Sequence, residues 1–266
     1  MRNNFTPFSN PDFSKSLIVE GSGGRYDDNN EFFHLSPAQD FGSPATNDAM
    51  HLVGGAAKQP FVAYFSRQIL NNPAMLPAKL FSSGRLYTPV NCSNQQGLTS
   101  TQQSTAIQMF CVCANEDMMN DQAESIKAIM AEVLVKFGEL RLVERGLDSL
   151  ERGEVNRTSF QLFLPASRQF IEVGYLSIEK DYLSRRVMFK QRTDNGQYAN
   201  LWTCGGQLVN VTRLLAVILE NEQIPRSNQC GANKDSLLVN LQYLTDVVEF
   251  QLQDFHSPEP NSRCSH

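Results

Sequence analysis

Histidine is scarce in this chain of 266 residues, and its placement excludes several kinds of active site. The four histidines are His34, His51, His256 and His266, so residues 52–255 contain none. Ser-His pairs, Cys-His pairs and His-ligated metal centres would each have to recruit a histidine from one end of the chain. The scarcity therefore predicts that the protein is not an enzyme.

Long apolar runs are absent as well. A membrane-spanning helix needs roughly 18 or more apolar residues in succession, and no stretch approaches that length. The first residues have neither the apolar centre of a secretory signal nor the arginine-rich composition of a transit peptide. We therefore expect a cytoplasmic protein that has no membrane partner.

Cysteine and glycine patterns give no sign of a metal or a cofactor. No cysteine pair has the C-x-x-C spacing, and no short Cys/His cluster of the kind that zinc requires is present. The glycine-rich segments at 21–24 and 54–58 lack the G-x-x-x-x-G-K-[ST] frame of a phosphate-binding loop. Gly205-Gly206 is interpreted as a tight turn before a helix, in preference to a pair of free amides that bind a phosphate. The prediction is no metal site and no cofactor.

The first 58 residues differ in composition from the rest and are rich in Asn, Ser, Gly and Pro. They offer little continuous apolar surface to offset the entropy of ordering, so we expect a flexible N-terminal arm with one short strand at 17–19. Its isolated aromatic residues suggest that the arm docks on a neighbouring surface. Residues 59–153 are predicted to form strands plus a helix that starts at Asn120 or Asp121.

From residue 154 the pattern changes to strand-like runs and then to two helices. The runs cover 160–164, 169–178, 185–193 and 197–203, and the helices cover 208–222 and 235–255. Asn195-Gly196 is a strong hairpin signal between the last two runs. The region 154–255 is thus a β-meander followed by two helices, and 256–266 is a disordered tail. The predicted fold class is α+β, an antiparallel β-meander packed with amphipathic helices and preceded by a flexible N-terminal arm.

The meander differs from the rest of the chain in charge. The whole chain has a net charge of -5, which excludes binding driven by bulk positive charge, yet basic residues outnumber acidic ones between 157 and 204. In an extended run at 185–192, alternation places Arg186, Lys190 and Arg192 on one side. Cations bind phosphates and aromatic rings stack on bases, although an ordinary exposed strand is the alternative interpretation. The predicted nucleic-acid-binding residues are Arg185, Arg186, Lys190, Arg192, Tyr198 and Trp202.

In the order of its elements, the chain resembles two known architectures. The repeated plan of strands followed by helix resembles the Whirly-type single-strand-binding fold. A strand at 197–203 followed by two amphipathic helices resembles a ribbon-helix-helix regulator, a family in which paired strands from a dimer enter the major groove. Both resemblances imply nucleic-acid binding, and neither includes a sequence motif.

These observations lead to three functional hypotheses. The first is a non-enzymatic DNA-binding protein, a transcription regulator or accessory factor, that forms a homo-oligomer and binds DNA of unresolved strandedness. The second is a structural or assembly subunit of a larger complex that uses the N-terminal arm. The third is a single-stranded nucleic-acid-binding protein. An enzyme that uses paired carboxylates such as Glu172 and Glu179 ranks last.

Overall fold

The computed structural model describes residues 4–28, 30–35, 49–89, 97–193, 195–225 and 237–239. The chain divides into two units, residues 1–217 and residues 218–266. The described strands are β1 (Thr6–Pro7), β2 (Phe13–Lys15), β3 (Phe33–Leu35), β4 (Met50–Leu52), β5 (Ile69–Leu70), β6 (Ala78–Tyr87), β7 (Gln103–Cys113), β8 (Leu140–Glu144), β9 (Asn156–Leu164), β10 (Gln169–Lys180), β11 (Lys190–Arg192), β12 (Tyr198–Asn200), β13 (Trp202–Asn210), β14 (Gln223–Pro225) and β15 (Leu237–Val239). The described helices are α1 (Ser16–Gly21), α2 (Gln59–Phe65), α3 (Glu116–Leu134), α4 (Tyr182–Val187) and α5 (Val211–Asn221).

A seven-stranded sheet forms the centre of the first unit, in the order β1-β6-β7-β13-β10-β9-β8. β1 pairs with β6 in parallel, and the other neighbouring strands are antiparallel. β13 lies between β7 and β10 and is hydrogen-bonded to both, so distant parts of the chain meet in one sheet. The predicted β-meander packed with amphipathic helices is therefore wrong, because long-range pairing organises the sheet.

Gly205 and Gly206 lie inside the central strand β13 and not in the tight turn that the sequence predicts. A Cβ atom added at Gly206 would collide with the main-chain oxygen of Tyr175 on β10. A Cβ atom at Gly205 would lie 2.5 Å from the main-chain oxygen of Met109 on β7. The two glycines thus allow β13 to approach both of its neighbours closely.

Helices cover the two faces of this sheet. Asn115 caps α3 by accepting a hydrogen bond from the Met118 amide at 2.8 Å, so the start expected at Asn120 or Asp121 is wrong. The helix buries Ile126, Met130 and Leu134, as its helical spacing predicts. On the same side lie Cys111 and Cys113, which are fully buried as two small apolar residues. On the opposite side, Phe110 and Val112 pack against residues of α2 and α4.

The flexible N-terminal arm in the predicted fold class is also wrong for the described residues. β1 joins the large sheet, and β2, β4 and β3 form a separate three-stranded sheet. Residues 17–19 belong to α1 and not to a strand. Val19 is fully buried there, so tertiary packing outweighs the weak strand preference of its β-branched side chain.

The second half differs from the predicted pattern in three places. Residues 185–187 end α4, and Met188 has the left-handed φ of 57° that separates this helix from β11. The helix expected from 208 begins at Val211, because β13 continues through Asn210. Most of the helix expected at 235–255 and the whole 256–266 tail lie outside the described residues, and Leu237–Val239 form strand β15 with β14. The domain boundaries predicted from the sequence remain a prediction.

The hairpin expected at Asn195-Gly196 is confirmed. β11 and β12 pair antiparallel, with Arg192 opposite Tyr198, and Gly196 has a φ of 75°. Among the residues that the structure describes, no helix is long and apolar enough to cross a membrane.

Candidate active-site cleft

A cleft of about 810 Å³ opens on the large sheet of the first unit. Four neighbouring strands contribute polar residues to its lining, among them Gln108 of β7, Gln207 of β13, Tyr175 of β10 and Arg157 of β9. Residues 22–25 and 150–152 also line the cleft. Because adjacent strands project these side chains together, the sheet builds a polar surface that no contiguous segment of sequence contains.

Arg157 is the most heavily contacted cation of the cleft. Its Nη1 lies 2.8 Å from Glu151 Oε1 and 3.3 Å from Glu154 Oε1, and its Nη2 lies 3.5 Å from Glu172 Oε1. The guanidinium also lies over the Tyr175 ring at 3.7 Å. Burial opposes the charge on Arg157, but the surrounding phenol and carboxylates outweigh it and raise its pKa.

Glu172 lies between two arginines, Arg145 and Arg157, and its carboxylate contacts both guanidinium groups. Its Oε2 accepts hydrogen bonds from Ser159 Oγ at 2.5 Å and from Arg145 Nη2 at 2.8 Å. Burial alone would raise the pKa of Glu172, but Arg157 and these two donors hold it below its usual value. Glu172 is therefore a carboxylate at neutral pH.

Tyr175 is a neutral hydrogen-bonding group of the cleft. Burial, followed by the nearby Glu151 charge, raises the pKa of Tyr175 to about 12. The phenol is thus protonated near pH 7 and presents a hydrogen-bond donor in the cleft.

Lys58 and Glu179 form a buried ion pair that is separate from the ion pairs of Arg157. Lys58 Nζ is 3.5 Å from Glu179 Oε1, and the two side chains are only 11% and 2% exposed. Ser177 Oγ donates to the same oxygen at 2.8 Å. Glu179 Oε2 is buried and has no hydrogen-bond partner among the described residues. Glu179 therefore depends on Lys58 and Ser177 for its polar contacts.

Arg213 is a cleft cation with a different environment. It lies in the first turn of α5, where the side chain of Asn210 caps the helix by accepting from the Arg213 amide at 3.1 Å. Its Nη1 donates to the main-chain oxygen of Glu172 at 3.0 Å, and burial lowers its pKa. Within the described residues it forms no ion pair. A guanidinium at a helix N-terminus is suited to bind an anionic group.

The described residues contain no cluster of three or more His, Cys, Asp or Glu that could hold a metal ion. Besides the carboxylates of Glu31, Glu151 and Glu172, the cleft combines cations with hydrogen-bond donors. That combination fits a ligand that carries phosphate groups.

The structure divides the predicted nucleic-acid-binding residues among several elements. Arg185 and Arg186 lie on α4, Lys190 and Arg192 on β11, Tyr198 on β12, and Trp202 on β13. The expected single basic strand at 185–192 is therefore wrong. The role of these six residues in binding nucleic acid remains a prediction.

Their surroundings also differ from the expected row of exposed cations. Arg185 and Arg186 have carboxylate partners in the chain, Asp181 at 3.1 Å and Glu20 at 3.2 Å. Trp202 is half-buried against the main core, and Lys180 lies 5.8 Å from its ring. Arg192 and Tyr198 remain exposed as cross-strand partners.

Three important cleft residues were missed by reasoning from sequence: Lys58, Arg157 and Arg213. Arg157 counted only toward the basic balance of the meander, because charge counting does not reveal that Glu151, Glu154 and Glu172 contact it. One signal in the sequence pointed to Arg213: it lies in the first turn of the helix, α5, that directly follows the strand containing Gly205-Gly206. Glu172 and Glu179, named as a possible catalytic pair, belong to two different ion-pair groups.

Comparisons with known proteins agree on one family. Residues 44–222 match the family model of the tRNA synthetase class II core domain (G, H, P, S and T). The serine–tRNA synthetase-like protein Slimp of Drosophila melanogaster is 22% identical over 221 residues, which are 82% of this chain and 46% of that protein. The serine–tRNA ligase of Thermobifida fusca is 25% identical over 225 residues, which are 83% of this chain and 50% of the ligase.

Solved structures have the same fold. Seryl-tRNA synthetase from Pyrococcus horikoshii, solved in complex with ATP, superposes with a TM-score of 0.71 at 18% identity and covers 84% of this chain and 48% of its own. The chain thus spans about half the length of the relatives it matches.

These findings overturn the functional hypotheses drawn from the sequence. A DNA-binding transcription regulator, an assembly subunit and a single-stranded nucleic-acid-binding protein are all wrong, as is the prediction of a non-enzyme, because the matched relatives include serine–tRNA ligases. DNA is also wrong as the predicted partner. The resemblances to the Whirly-type and ribbon-helix-helix architectures came from element order alone and do not match the observed sheet. Self-association stays a prediction.

Proposed function

The chain belongs to the family of the tRNA synthetase class II core domain (G, H, P, S and T), and on this premise we propose that its cleft activates serine with ATP for transfer to tRNA. The relatives named as serine–tRNA ligases support the choice of serine and tRNA. The related Pyrococcus horikoshii enzyme was solved with ATP. The observation that carries the proposal is Arg213, a cleft guanidinium at a helix N-terminus that forms no ion pair within the described residues.

The proposed first step needs charge stabilisation more than acid-base catalysis. The serine carboxylate attacks the α-phosphorus of ATP, the bond to the oxygen that bridges the α- and β-phosphates breaks, and pyrophosphate leaves. Negative charge is distributed over phosphate oxygens in such a transfer, and cations placed in advance are the main source of acceleration. Arg213 is placed to supply that charge, and Gln108, Gln207 and Tyr175 offer hydrogen bonds beside it.

Serine-dependent exchange of labelled pyrophosphate into ATP tests this step without tRNA. We expect exchange with serine by the wild-type chain, and Arg213→Ala should lower the rate on the order of 100-fold, as for loss of one donor to a transition-state anion. Arg141→Ala is the matched control, since Arg141 lies on edge strand β8, bonds to Gln161 and is not part of the cleft. Circular dichroism establishes that each variant is folded.

Two results would contradict the proposal. One is an absence of exchange with each of the five amino acids of the family, and the other is equal exchange by wild type and Arg213→Ala. Exchange with an amino acid other than serine would mean that this amino acid, and not serine, is the substrate. If serine is activated, esterification of tRNA by the same preparation tests the second step, and fractionation of cells tests the cytoplasmic location that we include in the proposal.

A further inference from the structure

Arg157 carries one positive charge, and three carboxylates contact it. Glu151, Glu154 and Glu172 contact Arg157, and of these only Glu172 also contacts a second cation, Arg145. A carboxylate in that position competes with a phosphate group for the same hydrogen-bond donors.

The three carboxylates differ in how firmly the structure holds them. The Glu154 side chain is 1% exposed and that of Glu172 is 16% exposed, so both are part of the buried structure. The Glu151 side chain is 60% exposed, although its oxygen makes the shortest contact with Arg157. Glu151 is the only one of the three carboxylates that is largely open to solvent, so its contact with Arg157 is the one that a ligand displaces most easily.

The main chain at Glu151 does not depend on its side chain. Its amide donates to Glu154 Oε2 at 3.0 Å, and the Glu154 amide donates back to the Glu151 main-chain oxygen at 3.1 Å. The turn from 151 to 154 thus keeps its hydrogen bonds when the Glu151 side chain rotates away. Glu154 and Glu172 meanwhile keep the guanidinium of Arg157 in position.

We propose that Arg157 is an anion-binding residue of the cleft, and that the Glu151 carboxylate occupies its outward side until a ligand phosphate displaces it. The inference deepens the proposed function, on which it rests for the phosphate-bearing ligand. Arg157 Nε is buried and has no hydrogen-bond partner among the described residues, so the surrounding carboxylates do not satisfy every donor of this guanidinium. Glu151 acts as an internal competitor that sets the affinity of the site for anions.

Equilibrium binding of ATP and of inorganic triphosphate, measured by titration calorimetry, tests the competition. We expect Glu151→Gln to bind both ligands about fivefold more tightly than wild type, since it removes one partly exposed carboxylate from Arg157. Asp148→Asn is the matched control: it removes the same charge from the same exposed loop, and Asp148 forms no ion pair within the described residues. We expect its affinity to equal that of wild type. Glu151→Ala repeats the test with a second side chain, and thermal melting verifies folding.

Three outcomes overturn the inference: equal affinities of wild type and Glu151→Gln, an equal gain in Asp148→Asn, or no measurable binding of triphosphate by any variant. Neither ligand requires an amino acid, so the result is independent of serine activation. Tighter binding by Glu151→Gln in a chain that shows no pyrophosphate exchange would leave this inference standing while the proposed function fails.

Discussion

His51 is a fully buried imidazole in the small sheet formed by β2, β4 and β3, and we expect it to make the stability of that sheet depend on pH. Its Nε2 lies 2.7 Å from Ser16 Oγ, and Ser16 Oγ donates its own hydrogen to the main-chain oxygen of Ala49 at 3.0 Å. His51 must then donate from Nε2, which leaves Nδ1 as the unprotonated nitrogen. Nδ1 is buried and has no partner among the described residues.

The sign and size of the effect follow from that environment. Burial, helped by the neighbouring ring of His34, lowers the pKa of His51 from 6.5 to about 4. The unfolded chain therefore binds more protons than the folded chain between these two values, so stability is complete above pH 6.5 and is lost as the pH falls toward 4. At about 1.4 kcal/mol per pH unit, the loss is about 2 kcal/mol at pH 5.

Urea unfolding of the wild type and of His51→Gln between pH 8 and pH 5 measures this loss. Glutamine keeps a donor near the position of Nε2 and does not titrate, so the difference between the two pH profiles isolates His51 from the carboxylates. We expect the wild type to lose about 2 kcal/mol more than the variant. Parallel profiles would refute the reasoning, as would an imidazole titration of His51 by NMR with its midpoint near 6.5.

Two further predictions concern the large sheet and its buried charges. Gly206→Ala should lower the free energy of unfolding by about 1–3 kcal/mol, because the added Cβ meets the main-chain oxygen of Tyr175; Gly146→Ala, which has open space around it, should change it by less than about 0.5 kcal/mol in the same urea titration. Lys58→Met should cost about 3–5 kcal/mol by leaving Glu179 buried without its cation, and the double variant with Glu179→Leu should recover most of that loss. An additive double variant would contradict the pairing.

Local signals in the sequence predicted the parts of the fold that form locally. The spacing of Ile126, Met130 and Leu134 identified the buried face of α3, and Asn195-Gly196 identified the hairpin of β11 and β12. Both depend on residues within a few positions of each other. The sequence therefore contains enough information for these elements without any knowledge of the sheet.

Long-range pairing could not be predicted in the same way. The position of β13 between β7 and β10 depends on glycines that allow close approach, and Gly205-Gly206 in isolation resembles a turn. The cleft depends on that pairing, since Arg157 and Gln207 line the same cleft only when β9, β10 and β13 are neighbours. Without the strand order, the site cannot be predicted, even though all of its residues can be read from the sequence.

The scarcity of histidine shows where reasoning from composition failed. It correctly indicates that residues 52–255 contain no Ser-His or Cys-His pair and no imidazole ligand for a metal. It does not bear on reactions at phosphorus, in which positioned cations lower the barrier and little proton transfer is required of the protein. Such reactions need positioned cations, and this cleft contains three: Arg157 and Lys58, which carboxylates contact, and Arg213, which the main-chain oxygen of Glu172 contacts. The scarcity of histidine therefore excludes only reactions that need an imidazole. The prediction of a non-enzyme went beyond that limit.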